Sequence, residues 1–233
     1  MVPEGSRRAQ LRDNLTRTRE AVAAACREAG REPDSVRLIV VTKNFPAADA
    51  ATLVELSQSD LGENRDQEAA PKAAELAERG LDATWHFVGR LQRNKARSVA
   101  RYAGWVHSVD RPRLVEALDR AAERPIDVLL QVSLDDDTSR GGASIGDLPL
   151  LAEAAAGAAS LRLRGVMAVA PLGWEPVKAF ELLAKCSETV RAVEPAAAEI
   201  SAGMSGDFAA AVACGATMVR LGRNVLGERE PMA

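Results

Sequence analysis

A lysine closes an apolar run, Val36-Arg37-Leu38-Ile39-Val40-Val41-Thr42-Lys43-Asn44-Phe45-Pro46. The β-branched and aliphatic residues before it read as a buried strand. Burying an unpaired ammonium is costly, and the escape from that cost is loss of the proton. A neutral amine is also what an imine-forming lysine needs. The expectation is that apolar surroundings keep Lys43 uncharged and ready to condense with a carbonyl. Of 30 basic residues only five are lysines, which makes the position conspicuous. Lys72, Lys178 and Lys185 fall in polar-faced helical patterns and are expected to be solvated. Lys95 belongs to the basic cluster Arg90-Leu91-Gln92-Arg93-Asn94-Lys95, whose Arg90 and Arg93 could make a pocket mouth electropositive but read better as a solvated face.

Two glycine loops form the second candidate group. In Gly203-Met204-Ser205-Gly206-Asp207, Ser205 offers a hydroxyl and a backbone N–H at a helix start. Leu221-Gly222-Arg223-Asn224 again presents free N–H groups beside a glycine. One capped glycine turn is routine, and it is the pair that points to a phosphate. A carbonyl-seeking lysine plus a phosphate cup describes a ligand with an aldehyde or ketone at one end and a phosphate at the other. Pyridoxal 5′-phosphate fits, and so do phosphorylated keto sugars. His86 and His107 lie inside strand-like runs, where a histidine is usually tied to a neighbouring backbone or carboxylate group. Cys26, Cys186 and Cys214 lack metal-ligand spacing and read as small buried hydrophobes in a reducing compartment.

The elements that must position these groups alternate strictly. An amphipathic helix over 6–29, with Leu11, Leu15, Val22 and Cys26 on one face, is closed by Gly30. Strands follow at 36–42, 60–62, 84–89, 105–110, 127–134, 161–169, 199–202 and 218–222. Helices lie between them at 47–58, 66–79, 92–102, 111–122, 148–159, 175–193 and 206–214. Strict alternation demands parallel strands and right-handed crossovers. Eight such units close into a (β/α)₈ TIM barrel, whereas an open doubly wound sheet more often has five to seven strands. The fold expected is α/β: a single domain over 1–233, with the barrel at about 36–229 behind an extra N-terminal helix. Its working end is the C-terminal face, where Lys43, Asn64, Met167, Ser205, Gly222 and Arg223 gather at strand ends. Strand one meets strand eight at the closure, which brings Lys43 beside the phosphate loops.

A net charge of −3 gives no reason to propose nucleic acid or an anionic membrane as partner. The N-terminus has no apolar leader and no stretch approaches a membrane span, so the protein is expected in the cytoplasm. No long apolar stripe remains once the barrel is assigned, and a monomer is expected.

The motifs Val-Thr-Lys43-Asn-Phe-Pro, Gly62-Glu63-Asn64-Arg65, Trp85-His86-Phe87-Val88-Gly89, Asn94-Lys95, His107-Ser108-Val109-Asp110, Gly165-Val166-Met167, Gly203-Met204-Ser205-Gly206-Asp207 and Val219-Arg220-Leu221-Gly222 occur in that order. With them the chain closely resembles the pyridoxal phosphate homeostasis proteins (the YggS/PROSC family), single-domain relatives of the alanine racemase barrel (fold type III). The resemblance implies that Lys43 forms the Schiff base with pyridoxal phosphate and that Asn64 lines the cofactor pocket. It implies that Ser205, with N–H groups at Gly222 and Arg223, holds the phosphate, and that Arg220 faces the pyridine nitrogen. An arginine only donates, so that nitrogen stays unprotonated and carbanion chemistry is discouraged. Arg223 stands where the family often has a small hydroxyl residue.

Against the racemase activity stands the lack of a second base, unless His86 or His107 serves as one. The one tyrosine, Tyr102, lies at a helix end away from the strand tips. The reading preferred is a non-catalytic carrier that captures pyridoxal phosphate and delivers it to apo-enzymes. A weak racemase or transaminase, and a Schiff-base aldolase, are the rivals.

Overall fold

Every short apolar run singled out above is a strand. A computed structural model describes residues 4–227. Its elements run α1 (Glu4–Glu28), β1 (Arg37–Val41), α2 (Ala47–Glu55), β2 (Asp60–Glu63), α3 (Asp66–Glu78), β3 (Thr84–Phe87), α4 (Ala96–Tyr102), β4 (Ala103–Val109), α5 (Pro112–Ala121) and β5 (Ile126–Gln131). They continue with α6 (Leu148–Ala156), β6 (Leu161–Met167), α7 (Pro176–Val193), β7 (Glu199–Ser201), α8 (Phe208–Ala213), β8 (Met218–Leu221) and α9 (Arg223–Leu226). Each strand pairs in parallel with the next, and β1 pairs with β8, Val40 opposite Leu221, so the sheet closes. That closure rules out the open doubly wound sheet. Position 229, the expected end of the barrel, lies outside the described residues.

Side-chain alternation along β1 shows how the barrel is filled. Leu38 and Val40 point outward into a core shared with Leu11, Leu15, Leu53, Leu61 and Leu221. Ile39 points inward, where it packs with Trp105, Leu129, Met167 and Met218. A larger outer core lies under α4 to α8. Burying each such leucine contributes about 1.5–3 kcal/mol, so the outer cores dominate stability. Helix α1 lies across α2, α8 and α9 and buries the predicted stripe of Leu11, Leu15, Val22 and Cys26. Its ends are fastened: Arg7 donates twice to Asp49 (3.1 and 2.6 Å), and just past the helix Arg31 donates to the carbonyls of Val212 and Ala216 (2.9 and 2.8 Å). Cys26 and Cys186 are buried and Cys214 half-buried, all three unpaired. No helix among the described residues is long and apolar enough to cross a membrane.

Candidate functional site

Strand β1 stops at Val41, and the chain turns sharply at Asn44, whose φ of 61° lies in the left-handed region that asparagine tolerates. The Thr42 carbonyl pins the turn by accepting from the Phe45 N–H (3.1 Å) and from Lys72 Nζ (3.0 Å). The Asn44 N–H donates to the Glu68 carboxylate (3.0 Å). Lys43 therefore projects into a cavity of about 1000 Å³ at the C-terminal mouth of the barrel. Two expectations are corrected here. Lys43 is half-buried, because the apolar run ends before it and its side chain meets an open, partly polar cavity. The lysine that is buried is Lys72, 6% exposed, paired with Glu63 at 1%. It was expected in solvent, yet it lies on the buried stripe Ala69-Lys72-Ala73-Leu76 of α3.

The walls come from the neighbouring strand ends. Asn64 follows β2, and its Oδ1 is buried with no partner among the described residues. Gly89 permits this wall: a Cβ there would stand 2.1 Å from the Asn64 carbonyl oxygen. In the loop after β7, Gly203 has φ 91°, and a Cβ on it would come within 2.8 Å of the Phe208 backbone. Gly206 faces open space, so only one of the two glycines is sterically required. The Asp207 carboxylate accepts from the Met204 N–H (2.6 Å) and from neither the Ser205 nor the Gly206 N–H. Those N–H groups have no partner among the described residues, and the same holds for Arg223 and Asn224 at the start of α9.

Arg220 reaches inward from β8 to the cavity floor and is 5% exposed. It donates to Ser201 Oγ (2.7 Å) and to the Ala168 carbonyl (2.9 Å). Burial pulls its guanidinium down to about 10, opposed by Asp207, so it stays charged at neutral pH. Lys43, Asn64, Ser205, Arg220, Gly222 and Arg223 thus share one cavity. Met167 does not join them. It lies in the apolar interior layer with Ile39 and Trp105 and is 2% exposed.

Residues 9–230 match the family model described as alanine racemase, N-terminal domain. A Mycobacterium leprae protein named pyridoxal phosphate homeostasis protein is 41% identical, covering 96% of this chain and 95% of its own length. The Escherichia coli K12 protein of the same name is 37% identical, with 93% and 96% covered. The chain belongs to the pyridoxal phosphate homeostasis protein family. Among solved structures, PipY of Synechococcus elongatus PCC7942 with PLP bound is 36% identical, with a TM-score of 0.81 over 93% of this chain and 100% of that one. Alanine racemase of Corynebacterium glutamicum, 15% identical with a TM-score of 0.70, shares the fold and is longer, with 62% of its chain covered.

In this homeostasis-family chain the remaining candidates lie off the cavity. Tyr102 is wedged at the end of α4 between the two outer cores, and burial pushes its phenol up. His86 and His107 sit inside the barrel. Burial holds both imidazoles below their usual range, His107 the further. His86 Nε2 meets the Asp60 carboxylate at 2.9 Å, the carboxylate tie expected of a strand histidine. Phe45, Val88 and Val169 line the cavity without having been singled out. For Phe45 the signal was available, two residues past Lys43 in the same turn. Arg90 and Arg93 are exposed, in keeping with a solvated face.

Proposed function

We propose that this protein binds pyridoxal 5′-phosphate in the cavity at the barrel mouth, holds the aldehyde on Lys43 as a Schiff base, and hands the cofactor to apo-enzymes. The observation that carries the reading is the meeting of Lys43, Arg220 and the Ser205 and Gly222 loops in one cavity. The residues present fit the group. Asn64 Oδ1 is an orphan acceptor in the wall, and a polar substituent on the ring would satisfy it. The free N–H groups at Ser205, Gly206, Arg223 and Asn224 suit a phosphate, on the loops after strands seven and eight where barrels commonly hold one. The Arg223 side chain is exposed, so its backbone N–H is the contact assigned. Bound pyridoxal phosphate supplies an aldehyde that exchanges reversibly between amines.

The chain's own residues favour holding over turnover. Arg220 can only donate, and a ring nitrogen facing it would remain unprotonated and a weak electron sink. Neither Tyr102 nor either histidine, the bases weighed for a racemase, lines the cavity; its one carboxylate among the described residues is Asp207, which is engaged by the Met204 N–H. Three unpaired cysteines suit a reducing compartment such as the cytoplasm. We read the whole chain as one cofactor-binding unit that works as a monomer.

Mixing purified protein with pyridoxal phosphate tests this. A visible chromophore that is lost in Lys43→Ala supports the reading. A colourless protein that borohydride modifies only in the presence of a sugar phosphate would establish the aldolase instead. Sustained α-proton exchange from L-amino acids in deuterium oxide would establish an enzyme.

A further inference from the structure

TIM-barrel interiors are normally filled by branched apolar side chains. Here Ile39, Trp105, Leu129, Met167 and Met218 fill only part of the interior, and a string of polar groups occupies the rest. Arg220 Nη1 donates to Ser201 Oγ (2.7 Å), and Ser201 Oγ lies 2.9 Å from His107 Nδ1. His107 Nε2 lies 3.0 Å from His86 Nδ1, and His86 Nε2 lies 2.9 Å from Asp60 Oδ1. Ser201, His107 and His86 are completely buried. Asp60 stands at the opposite rim of the barrel with its side chain 26% exposed, and Arg37 faces the same carboxylate at 4.0 Å.

Arg220 has no carboxylate within ion-pair distance among the described residues; the Asp207 carboxylate that shares its cavity acts on it only from beyond that range. A buried cation without compensation is strongly unfavourable, so its environment must supply acceptors. The donor rules then fix the direction of the whole string. A carboxylate accepts, so His86 Nε2 carries its hydrogen. A neutral His86 must then accept at Nδ1, which makes His107 Nε2 the donor. A neutral His107 must accept at Nδ1, and the donor there is the Ser201 hydroxyl. The Ser201 oxygen is thereby left to accept from Arg220. Burial disfavours the protonated form of both rings, and that selects this neutral, one-way arrangement.

We propose that Ser201, His107, His86 and Asp60 are positioning residues for Arg220, forming a one-directional hydrogen-bonded chain that relays the counter-charge of a rim carboxylate to the guanidinium and fixes its plane at the cavity floor. Every link carries its dipole the same way, and aligned links reinforce one another in a low-dielectric interior. The effect on cofactor binding rests on the function proposed above, whereas the chain itself does not.

The sequence has only two histidines, so both can be read in histidine-labelled protein without bound ligand. Long-range proton–nitrogen NMR should show both rings neutral with the hydrogen on Nε2. Ser201→Ala should move the His107 Nδ1 resonance to that of an unbonded acceptor. The same variant should weaken pyridoxal phosphate binding by about ten-fold or more, since a bond to a charged group is lost, and should shift the visible band of the bound cofactor. Ser201→Thr should restore all three. Either ring carrying its hydrogen on Nδ1, or protonated at neutral pH, overturns the proposal. So does Ser201→Ala that melts earlier yet keeps wild-type affinity and spectrum, the outcome of a purely structural role. Wild-type protein that fails to bind the cofactor would refute the proposed function, and the ring tautomers of the unliganded protein would still decide the chain.

Discussion

Replacing Lys72 with methionine isolates the buried pair beneath the Lys43 turn. Lys72 Nζ donates to the Thr42 carbonyl at 3.0 Å and pairs with Glu63 Oε1, which also accepts from the Thr42 hydroxyl at 2.7 Å. Glu63 Oε2 has no partner among the described residues. With the ammonium gone, a carboxylate 1% exposed keeps a single hydroxyl donor. Removing one partner of a buried ion pair costs about 3–5 kcal/mol, against about 0–1 kcal/mol for a pair in solvent. Lys72→Met should therefore lower the free energy of unfolding by about 3–5 kcal/mol in urea titrations. Lys72→Met combined with Glu63→Leu should recover most of that loss, because replacing a whole buried pair by apolar side chains is often close to neutral. A double-mutant cycle then gives a coupling energy of at least ~2 kcal/mol. A single-variant loss below ~1 kcal/mol would show that Lys72 is solvated after all and that the turn needs no buried anchor.

Two further outcomes follow from the site's geometry. Unfolded, His86 and His107 titrate near 6.5, while burial holds them lower in the fold, so below that pH the unfolded chain binds more protons and stability falls. The loss is at most ~1.4 kcal/mol per histidine for each pH unit, and urea midpoints measured about one unit above and below 6.5 should differ accordingly; a flat profile would contradict neutral burial. Gly89→Ala should destabilise by about 1–3 kcal/mol and weaken cofactor binding, since its Cβ would strike the Asn64 backbone. Gly104→Ala, where the nearest atom is 3.6 Å away, should leave both near wild type, and equal effects at the two glycines would defeat the steric account.

The barrel was legible because its strands are short apolar runs separated by helical periods, and eight parallel units have one natural closure. The cavity was legible for a similar reason: a strand-end position in a barrel is a place as well as a number. Lys43, Ser205 and Gly222 could be brought together on that basis alone. Burial proved harder to read. Lys72 falls in what reads as a polar-faced helical pattern, yet α3 turns it inward on the Ala69-Lys72-Ala73-Leu76 stripe, where Glu63 supplies the partner that a buried ammonium needs. Met167 was placed in the pocket by its strand-end position, but β6 carries it into the interior layer. The Asp60–His86–His107–Ser201–Arg220 string joins five strands. Period two shows that each member can face inward, but the pairing of strands far apart in sequence fixes which of them touch.

The most direct test of the account is borohydride reduction of the protein loaded with pyridoxal phosphate, followed by mass mapping of its peptides. Five lysines are available, and the account predicts that the reduced cofactor is found on Lys43. Modification at Lys72, Lys95, Lys178 or Lys185 instead, or none on protein that has bound the cofactor, would contradict it.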